Sequence, residues 1–198
     1  MNDESLVQLG SLETFEKPFR YFTAARGFGD CISNQILDWL ESDLRWELVD
    51  SDFYEQYEFN LCDLELPANL RFLVRGTFLD DLRLKMESVF DVQLGKDIDC
   101  TVHKLITGQR IRIHNDWVPG QETHRFLIQL NRGWDDKKGG FLMLFDSQDP
   151  SDVHRVISPN HDSAFGFAIS EHSHHAVSTI HGSERYTLVF SFYAKTDG

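Results

Sequence analysis

The C-terminal stretch at residues 171–194 has the sequence EHSHHAVSTIHGSERYTLVFSFYA. Its last ten residues alternate in the way typical of a β-strand, where successive side chains point to opposite faces. One face carries large, mostly apolar side chains: Tyr186, Leu188, Phe190 and Phe192. The other face is mixed: Arg185, Thr187, Val189 and Ser191. We therefore expect the apolar face to pack beneath other elements of the chain and the mixed face to line a wet, functional interior.

A strand-like pattern extends upstream of this stretch to about residue 98. Short runs rich in β-branched and aromatic residues alternate there with Gly, Asn, Asp and Pro. The predicted strands are 99–106, 110–114, 124–130, 141–145, 154–158, 163–169, 174–181 and 185–194. Eight short strands joined by uneven loops favour a double-sheet jelly roll or a comparable barrel. All nine histidines lie at or after His103, so we expect the chemistry in this half.

The first half of the chain has a mainly helical pattern. Residues 30–41 place four aliphatic side chains on one stripe with helical spacing, and a capping-box pattern at Thr77 and Asp80 begins a second helix. Residues 45–60 indicate at most two short strands. The expected fold class is mainly β with N-terminal helices, namely a double-stranded β-helix (jelly-roll) core buttressed by α-helices. We expect a single domain over 1–198, with a helical support region at 1–97 and the jelly-roll core at 98–195.

Composition excludes several functional classes. The 198 residues include 19 Lys and Arg against 32 Asp and Glu, a net charge of −13. Nucleic-acid binding rests on clustered cations, so we expect no such partner. No apolar stretch approaches the roughly 18 residues of a membrane span, and the N-terminal MNDESLVQLG lacks the features of a signal peptide. The three cysteines, Cys31, Cys62 and Cys100, are typical of reduced thiols, which favours the cytoplasm and no membrane partner.

A candidate metal site begins at His114 and Asp116. Residues two apart on a strand share a face, so this pair could bind one ion. Such a pair is expected about once by chance in a chain of this composition and is weak evidence alone. A histidine cluster about sixty residues later, at 172–175, could supply a second imidazole. Two histidines and one carboxylate on one face of an ion form the facial triad of non-haem Fe(II) oxygenases.

Further landmarks surround these two motifs in a definite order. They are Gly108 six residues before His114, LNRGW at 130–134, GGFLML at 139–144, Pro159 and Phe167, His175-x-Val177, and Arg185 ten residues after His175. Taken together, residues 100–194 resemble the Fe(II)/2-oxoglutarate-dependent oxygenases, specifically the compact prolyl-4-hydroxylase-like branch.

This resemblance implies roles for individual residues. His114, Asp116 and His175 would bind Fe(II). Arg185 would form a charge-assisted, bidentate pair with the distal carboxylate of 2-oxoglutarate, for which a planar guanidinium is well suited. Thr187, two residues further along the same strand face, would donate a hydrogen bond to that carboxylate.

The choice of the second histidine ligand rests on the same pattern. His175 fits both the His-x-Val motif and the ten-residue step to Arg185. His174 is the alternative, since it shares a strand face with His172 and not with His175. His172 is expected in a loop at the mouth of the site.

Some positions depart from the family pattern. Leu105 and Ile111 stand where the family often has tyrosines near the co-substrate, and Gln129 replaces another frequent tyrosine. Gln129 is therefore a candidate donor to 2-oxoglutarate. Arg112 and Arg125 should lie near the site by strand alternation, and either could bind a substrate carboxylate.

The connection between the last two predicted strands is constrained by this assignment. His175 and Arg185 must both face the interior. If the two strands form a hairpin, a three-residue loop at 182–184 pairs residue 181 with Arg185, and the side chains of His175 and Arg185 then both face inward. A two-residue turn would instead send Arg185 outward. We therefore predict a three-residue connection or a bulge.

The resemblance implies an Fe(II)- and 2-oxoglutarate-dependent dioxygenase that hydroxylates an unactivated C–H bond and releases succinate and CO₂. Its cofactors would be Fe(II), 2-oxoglutarate and O₂, with ascorbate as an optional reductant. The expected substrate is an amino acid, or an amino-acid residue in a peptide, with proline as one case. Two alternatives stay open: a cupin-like metalloenzyme that uses His172-x-His174 without 2-oxoglutarate, and a non-catalytic metal- or ligand-binding barrel.

Overall fold

The computed structural model describes residues 7–42 and 46–195. Residues 1–6 lie outside the described residues, and the prediction of no signal peptide rests mostly on them. Arg45, the first residue of the region 45–60 in which short strands are expected, also lies outside. None of the helices within these described ranges has the length and apolar character needed to span a membrane.

Twelve β-strands and two α-helices form the described part of the chain. The strands are β1 (Glu13–Phe15), β2 (Tyr21–Ala24), β3 (Glu47–Asp50), β4 (Glu55–Asn60), β5 (Leu94–Leu105), β6 (Ile111–His114), β7 (His124–Gln129), β8 (Leu142–Phe145), β9 (Val153–Ile157), β10 (Ala164–Ala168), β11 (His175–Val177) and β12 (Arg185–Ala194). The helices are α1 (Asp30–Leu40) and α2 (Gly76–Phe90), and short 3₁₀ turns cover Leu61–Asp63, Arg71–Val74 and Asp136–Lys138.

The strands form two antiparallel sheets with a cavity between them. The large sheet has the order β1-β2-β10-β7-β12-β5-β4-β3, and the small sheet has the order β6-β11-β8-β9. This arrangement is the predicted jelly roll with supporting helices, and the predicted fold class is confirmed. Each strand expected after residue 98 is present at nearly the expected position.

The first half of the chain contains more strand than its helical pattern indicates. Helices α1 and α2 are present, but β1 to β4 also lie in this half and extend the large sheet at both ends. β2 pairs with β10, and β4 pairs with β5. These pairings give hydrogen-bond partners to backbone N–H and C=O groups that would be unpaired at the edges of an isolated C-terminal sheet. The region expected to give helical support thus also builds sheet: β3 and β4 lie where two short strands were expected, and β1 and β2 are additional.

The apolar face of β12 is buried under the two helices, as expected. Phe190 packs against Phe78 of α2 with ring centroids 5.8 Å apart. The helices contribute the following buried side chains to this core: Ile36, Leu37 and Leu40 from α1, and Phe78, Leu82, Met86 and Phe90 from α2. Because the apolar face packs here, the mixed face of β12 is turned towards the space between the sheets.

The predicted hairpin between the last two strands is wrong. β11 belongs to the small sheet and β12 to the large sheet, so residues 178–184 cross from one sheet to the other. This crossing segment is held by its neighbours; for example, the amide of Gly108 donates to the carbonyl of Ile180 at 2.9 Å. His175 and Arg185 consequently reach the interior from opposite walls, and no hairpin loop is needed to bring them together.

Asp162 joins the loop before β10 to the start of α1. Its buried carboxylate accepts hydrogen bonds from the amides of Phe28 at 2.9 Å and Gly29 at 2.8 Å, and from the hydroxyl of Ser33. Because these bonds involve a buried charge, we expect Asp162→Asn to lower the free energy of unfolding by about 2–3 kcal/mol. Denaturant titration measures this loss. The exposed Asp97→Asn serves as control, and equal effects of the two changes would contradict the structural role.

The buried His124 on β7 predicts a loss of stability at acidic pH. Its ring packs against Phe90, with centroids 4.9 Å apart, and burial followed by the charge of Arg20 lowers its pKa to about 4. In the unfolded chain this imidazole is protonated below about pH 6.5, whereas in the folded chain it is protonated only below about pH 4. The free energy of unfolding therefore falls as the pH decreases from about 6.5 to 4. His124→Gln should remove up to about 3 kcal/mol of this pH dependence. Denaturant midpoints from pH 7 to 4.5 test it, with the exposed His154→Gln as a control that should leave the slope unchanged.

Candidate active site

A cavity of about 570 Å³ lies between the two sheets. The small sheet contributes Ile111, His114, Leu142, His175 and Val177 to its wall. On the large sheet, the mixed face of β12 lines the cavity along its length, which confirms the expectation of a functional interior. The site is thus enclosed by strands, which hold side chains more rigidly than loops do.

Three side chains converge at one point of this cavity. The Nε2 atom of His114 lies 3.2 Å from one carboxylate oxygen of Asp116, and the Nε2 atom of His175 lies 3.2 Å from the other. All three donor atoms lie within 4.8 Å of one another. Among the described residues, this is the only group of three or more His, Cys, Asp or Glu side chains that could hold a metal ion.

Pairing between β6 and β11 sets the spacing of the two histidines. His114 and His175 are opposite each other in the ladder, and their ring centroids are 4.2 Å apart. Phe53 stacks on the ring of His114 at 4.7 Å, and Phe167 packs edge-on against His175 at 5.0 Å. Both rings are therefore held in place before any ligand binds.

Backbone carbonyls orient both imidazoles. The Nδ1 atom of His114 lies 2.9 Å from the carbonyl oxygen of Arg112, and that of His175 lies 2.8 Å from the carbonyl oxygen of Ser173. A proton on each Nδ1 satisfies these bonds and leaves the Nε2 lone pair directed at the centre of the cluster. Burial, followed by the neighbouring His114, lowers the pKa of His175, which favours the neutral form that binds metals.

The backbone at Asp116 directs its carboxylate towards the two rings. This residue has a φ of 59°, in the left-handed region that non-glycine residues seldom adopt. Burial alone would raise the pKa of Asp116, but the charge of the adjoining Arg125 is the largest of the opposing effects that hold it well below its ordinary value. The cluster therefore offers one ionised carboxylate and two imidazoles.

Arg185 is a buried cation without an anionic partner. It is 4% exposed, and one of its terminal nitrogens donates to the hydroxyl of Thr187 at 2.8 Å. Its Nε has no hydrogen-bond partner, and no carboxylate of the described residues lies within 4.0 Å of the guanidinium. Burial lowers the pKa of Arg185 to about 10. Since an unpaired buried charge is costly, this end of the cavity is suited to a carboxylate ligand.

Gln129 supports this end of the site from behind. The hydroxyl of Thr187 donates to the side-chain oxygen of Gln129 at 3.1 Å, since the two residues are opposite each other on β12 and β7. Gln129 does not line the cavity, whereas Thr187 and Arg185 do. The geometry gives Gln129 contact with Thr187, in place of the direct contact with 2-oxoglutarate that the sequence suggested.

The two arginines proposed for substrate binding have different environments. Arg112 is exposed and outside the cavity, and its guanidinium donates to the carbonyl of Asp52 at 3.1 Å. A bulge explains this, because the four residues of β6 from Ile111 to His114 oppose only the three residues of β11 from His175 to Val177. Strand alternation therefore fails at Arg112, and its placement in the site is wrong.

Arg125 does line the cavity, but acidic side chains of the chain already occupy its guanidinium. One nitrogen lies 2.8 Å from Asp116, and Nε donates to Glu122 at 3.2 Å. A second ion pair with Glu122 completes the contact. Arg125 is thus positioned to hold the carboxylate of Asp116.

The other two histidines of the cluster at 172–175 lie apart from the site. His174 does not line the cavity, because neighbouring residues on a strand point to opposite faces. His172 lies in an exposed turn. Among these three histidines, only His175 reaches Asp116.

Sequence reasoning missed the wall formed by β4 and β5, which includes Gln56, Glu58 and His103. The Nε2 atom of His103 lies 3.8 Å from Glu58. Burial, followed by the charge of Arg125, lowers the pKa of His103 to about 3, so this ring is neutral. The only indication in the sequence was that His103 is the first of the nine histidines. Nothing in the sequence indicated Gln56 or Glu58, because β4 reaches the site solely through its pairing with β5.

Comparison with known proteins agrees with this geometry. Residues 100–192 match the model of the 2OG-Fe(II) oxygenase superfamily. A prolyl-4-hydroxylase of Pseudomonas putida superposes with a TM-score of 0.67 and 19% identity, covering 83% of this chain and 85% of that one. A Trichoplax adhaerens prolyl hydroxylase in complex with a peptide of the hypoxia inducible factor oxygen degradation domain superposes with a TM-score of 0.70 and 15% identity, covering 87% and 83%.

A viral collagen prolyl hydroxylase of Paramecium Bursaria Chlorella virus-1, in complex with 2OG, superposes with a TM-score of 0.61 and 14% identity, covering 87% of this chain and 94% of that one. Comparison with curated protein sequences gave no match. The fold and the matched segment agree with the resemblance found in the sequence. The jelly-roll core at residues 100–192 belongs to the 2OG-Fe(II) oxygenase superfamily, and its fold is that of the prolyl-4-hydroxylase-like branch.

Proposed function

We propose that this protein is an Fe(II)- and 2-oxoglutarate-dependent dioxygenase that hydroxylates an amino acid, or an amino-acid residue in a peptide, with proline as the leading case. One observation carries the proposal. The cluster of His114, Asp116 and His175 shares a cavity with Arg185, a buried cation that no carboxylate of the described residues neutralises.

The donor set fits ferrous iron. Two imidazoles and one carboxylate match the facial triad, which leaves coordination positions open for other ligands. His114, Asp116 and His175 would hold the ion, and Arg185 with Thr187 would bind the distal carboxylate of 2-oxoglutarate. When bound, iron and 2-oxoglutarate supply the chemistry that uses O₂ to hydroxylate an unactivated C–H bond, with release of succinate and CO₂.

The chain's own contribution is positioning and exclusion of water. The carbonyls bound to Nδ1 of His114 and His175 keep both Nε2 atoms directed at one point. Arg125 holds Asp116, and Arg185 anchors one end of the co-substrate. The sheets enclose the reacting groups and limit their contact with bulk water.

The structural neighbours support proline as the leading substrate residue, because several of them are prolyl hydroxylases and one is bound to a peptide. The cupin-like alternative is not favoured, because His172 and His174 lie outside the metal-binding cluster. We propose the cytoplasm as the location, since reduced iron and 2-oxoglutarate are available there. Ascorbate as reductant and the absence of a nucleic-acid partner are parts of the same proposal.

Anaerobic titration with Fe(II) and 2-oxoglutarate tests the proposal. We expect the weak visible metal-to-ligand charge-transfer band that appears when 2-oxoglutarate chelates ferrous iron. Adding O₂ and proline peptides should then yield succinate, with a mass increase of one oxygen in the peptide. Bound iron without the band would rule out the 2-oxoglutarate chemistry and favour a binding barrel.

Arg125 and Arg112 form a matched pair for a second prediction. Arg125→Gln removes the ion pair with Asp116, and loss of such an outer partner typically costs about 10–100-fold in metal affinity. We expect that weakening for Fe(II), whereas Arg112→Gln should change nothing because its guanidinium lies outside the cavity. Competition with a fluorescent metal chelator measures both affinities. Equal affinities in the two variants would contradict the positioning role of Arg125.

A further inference from the structure

A second unbalanced charge lies in the same cavity, on the wall formed by β4 and β5. Glu58 is half-buried there, with its side chain 26% exposed. Among the described residues, no lysine or arginine nitrogen lies within 4.0 Å of its carboxylate; the only basic group that close is His103, at 3.8 Å. That ring is neutral because burial lowers its pKa to about 3. Glu58 is therefore an anion that nothing in this wall neutralises.

Gln56 adds an unsatisfied acceptor beside Glu58. It is 3% exposed, and its side-chain nitrogen donates to Glu58 at 2.7 Å, which orients the amide. Its side-chain oxygen is buried without a hydrogen-bond partner, although Gln56 lines the cavity. A buried acceptor without a donor is costly, so a ligand that brings a donor would be stabilised here.

Asp99 extends this wall towards the rim of the cavity. It is exposed, and the hydroxyl of Tyr193 donates to its carboxylate. Within the described part of the chain, no lysine, arginine or histidine nitrogen lies within 4.0 Å of it. Asp99 is directly opposite Ser191 of β12, and Glu58 is directly opposite His103 of β5. The wall thus presents two carboxylates and one free amide oxygen, and all three accept hydrogen bonds.

Building on the proposed function, we infer that the substrate carries a cationic group, an ammonium or a guanidinium, which binds Glu58 and Gln56. Such a cation would neutralise the charge of Glu58 and donate a hydrogen bond to the side-chain oxygen of Gln56. An anionic substrate would meet two like charges here.

The position of the wall limits how far the cation lies from the co-substrate anchor in the same cavity. In the large sheet, His103 stands between Glu58 and Thr187, with all three in register. Neighbouring strands are about 4.8 Å apart, so Glu58 lies roughly 10 Å from the co-substrate anchor at Thr187. The cation therefore belongs either to the hydroxylated residue itself or to its immediate neighbour in a peptide.

A substrate panel tests this inference. Capped tripeptides with Lys, Arg, norleucine or Glu beside proline, and the free amino acids lysine, arginine and proline, would be compared by KM, kcat and hydroxylated product. We expect the Lys and Arg compounds to exceed their norleucine and Glu counterparts by about 10- to 100-fold in kcat/KM, mainly through KM. Activity on free amino acids places the cation on the reacting residue, and activity on peptides alone places it on the neighbour.

Glu58→Gln isolates the charge, since glutamine can still accept the hydrogen bond from Gln56. This variant should lose the preference for Lys over norleucine while keeping the charge-transfer band and its affinity for 2-oxoglutarate. Glu13→Gln on β1 is the control; Glu13 is exposed at the opposite edge of the large sheet and outside the cavity, so its preference should match the wild type.

The two proposals fail in different ways. A normal band in the wild type with no preference for cationic substrates, or a preference that survives Glu58→Gln, overturns the cation inference and leaves the dioxygenase intact. Absence of the band in the wild type overturns the proposed function and this inference with it.

Discussion

We expect His175→Ala to abolish the charge-transfer band and substrate-dependent succinate formation. The change removes one of three donor atoms that lie within 4.8 Å of one another, and no other imidazole described in the structure reaches this point. Loss of an outer-sphere partner costs about 10–100-fold in metal affinity, so we expect loss of a direct ligand to weaken Fe(II) binding by more than about 100-fold. Anaerobic Fe(II) titration at fixed 2-oxoglutarate measures the effect.

The neighbouring His174 supplies the matched control for this prediction. His174→Ala should retain the band and the Fe(II) affinity of the wild type, because this side chain is outside the cavity. Circular dichroism and thermal unfolding would establish that both variants are folded. Loss of iron binding in His174→Ala with full binding in His175→Ala would reverse the ligand assignment.

We expect Arg185→Ala to raise the dissociation constant for 2-oxoglutarate by about 100-fold or more, the range typical for truncating one partner of a buried, hydrogen-bonded charge pair. The reason is that Arg185 is the uncompensated cation at its end of the cavity. Fe(II) affinity in the absence of 2-oxoglutarate should stay unchanged, since the guanidinium is not part of the metal-binding cluster. Titration of the charge-transfer band with 2-oxoglutarate gives both values.

Stability provides an independent check of the same residue. An unpaired buried charge is unfavourable, so Arg185→Met should leave the free protein as stable as the wild type or more stable. In protein already saturated with Fe(II), adding saturating 2-oxoglutarate should raise the melting temperature of the wild type further, because a ligand that binds only the folded state stabilises it. The variant should lack this rise. A full ligand-induced rise in Arg185→Met would show that the co-substrate is anchored elsewhere.

Local patterns in the sequence were sufficient for the core of the fold. Alternation in the final strand separates Phe190, which packs on α2, from Arg185, which lines the cavity. Alternation of this kind depends only on the geometry of an extended backbone, so it survives in any sheet. The members of the metal-binding cluster were indicated by the resemblance to a known family, in which His114 and Asp116, two residues apart, and the His-x-Val motif at His175 match the expected pattern.

Long-range pairing decided the features that the sequence did not determine. β1 to β4 become strands because they find partners at the edges of the large sheet, which no local period specifies. A bulge in β6 turns Arg112 out of the site, and Arg125 meets Asp116 only because β7 lies across the cavity. A bulge and a strand partner are properties of two segments at once, so inspection of either segment alone does not reveal them.

The sequence by itself thus determined the strand periods and the two helices, since each depends on spacing within one segment, and its resemblance to a known family indicated the residues expected to bind iron and 2-oxoglutarate. Only the tertiary structure decided that His175 and Arg185 approach from opposite sheets, and that Glu58 of the first half joins them in one cavity. The physical reason is that a cavity wall is made by strands distant in sequence, whose order in the sheets is set by hydrogen bonding and burial over the whole chain.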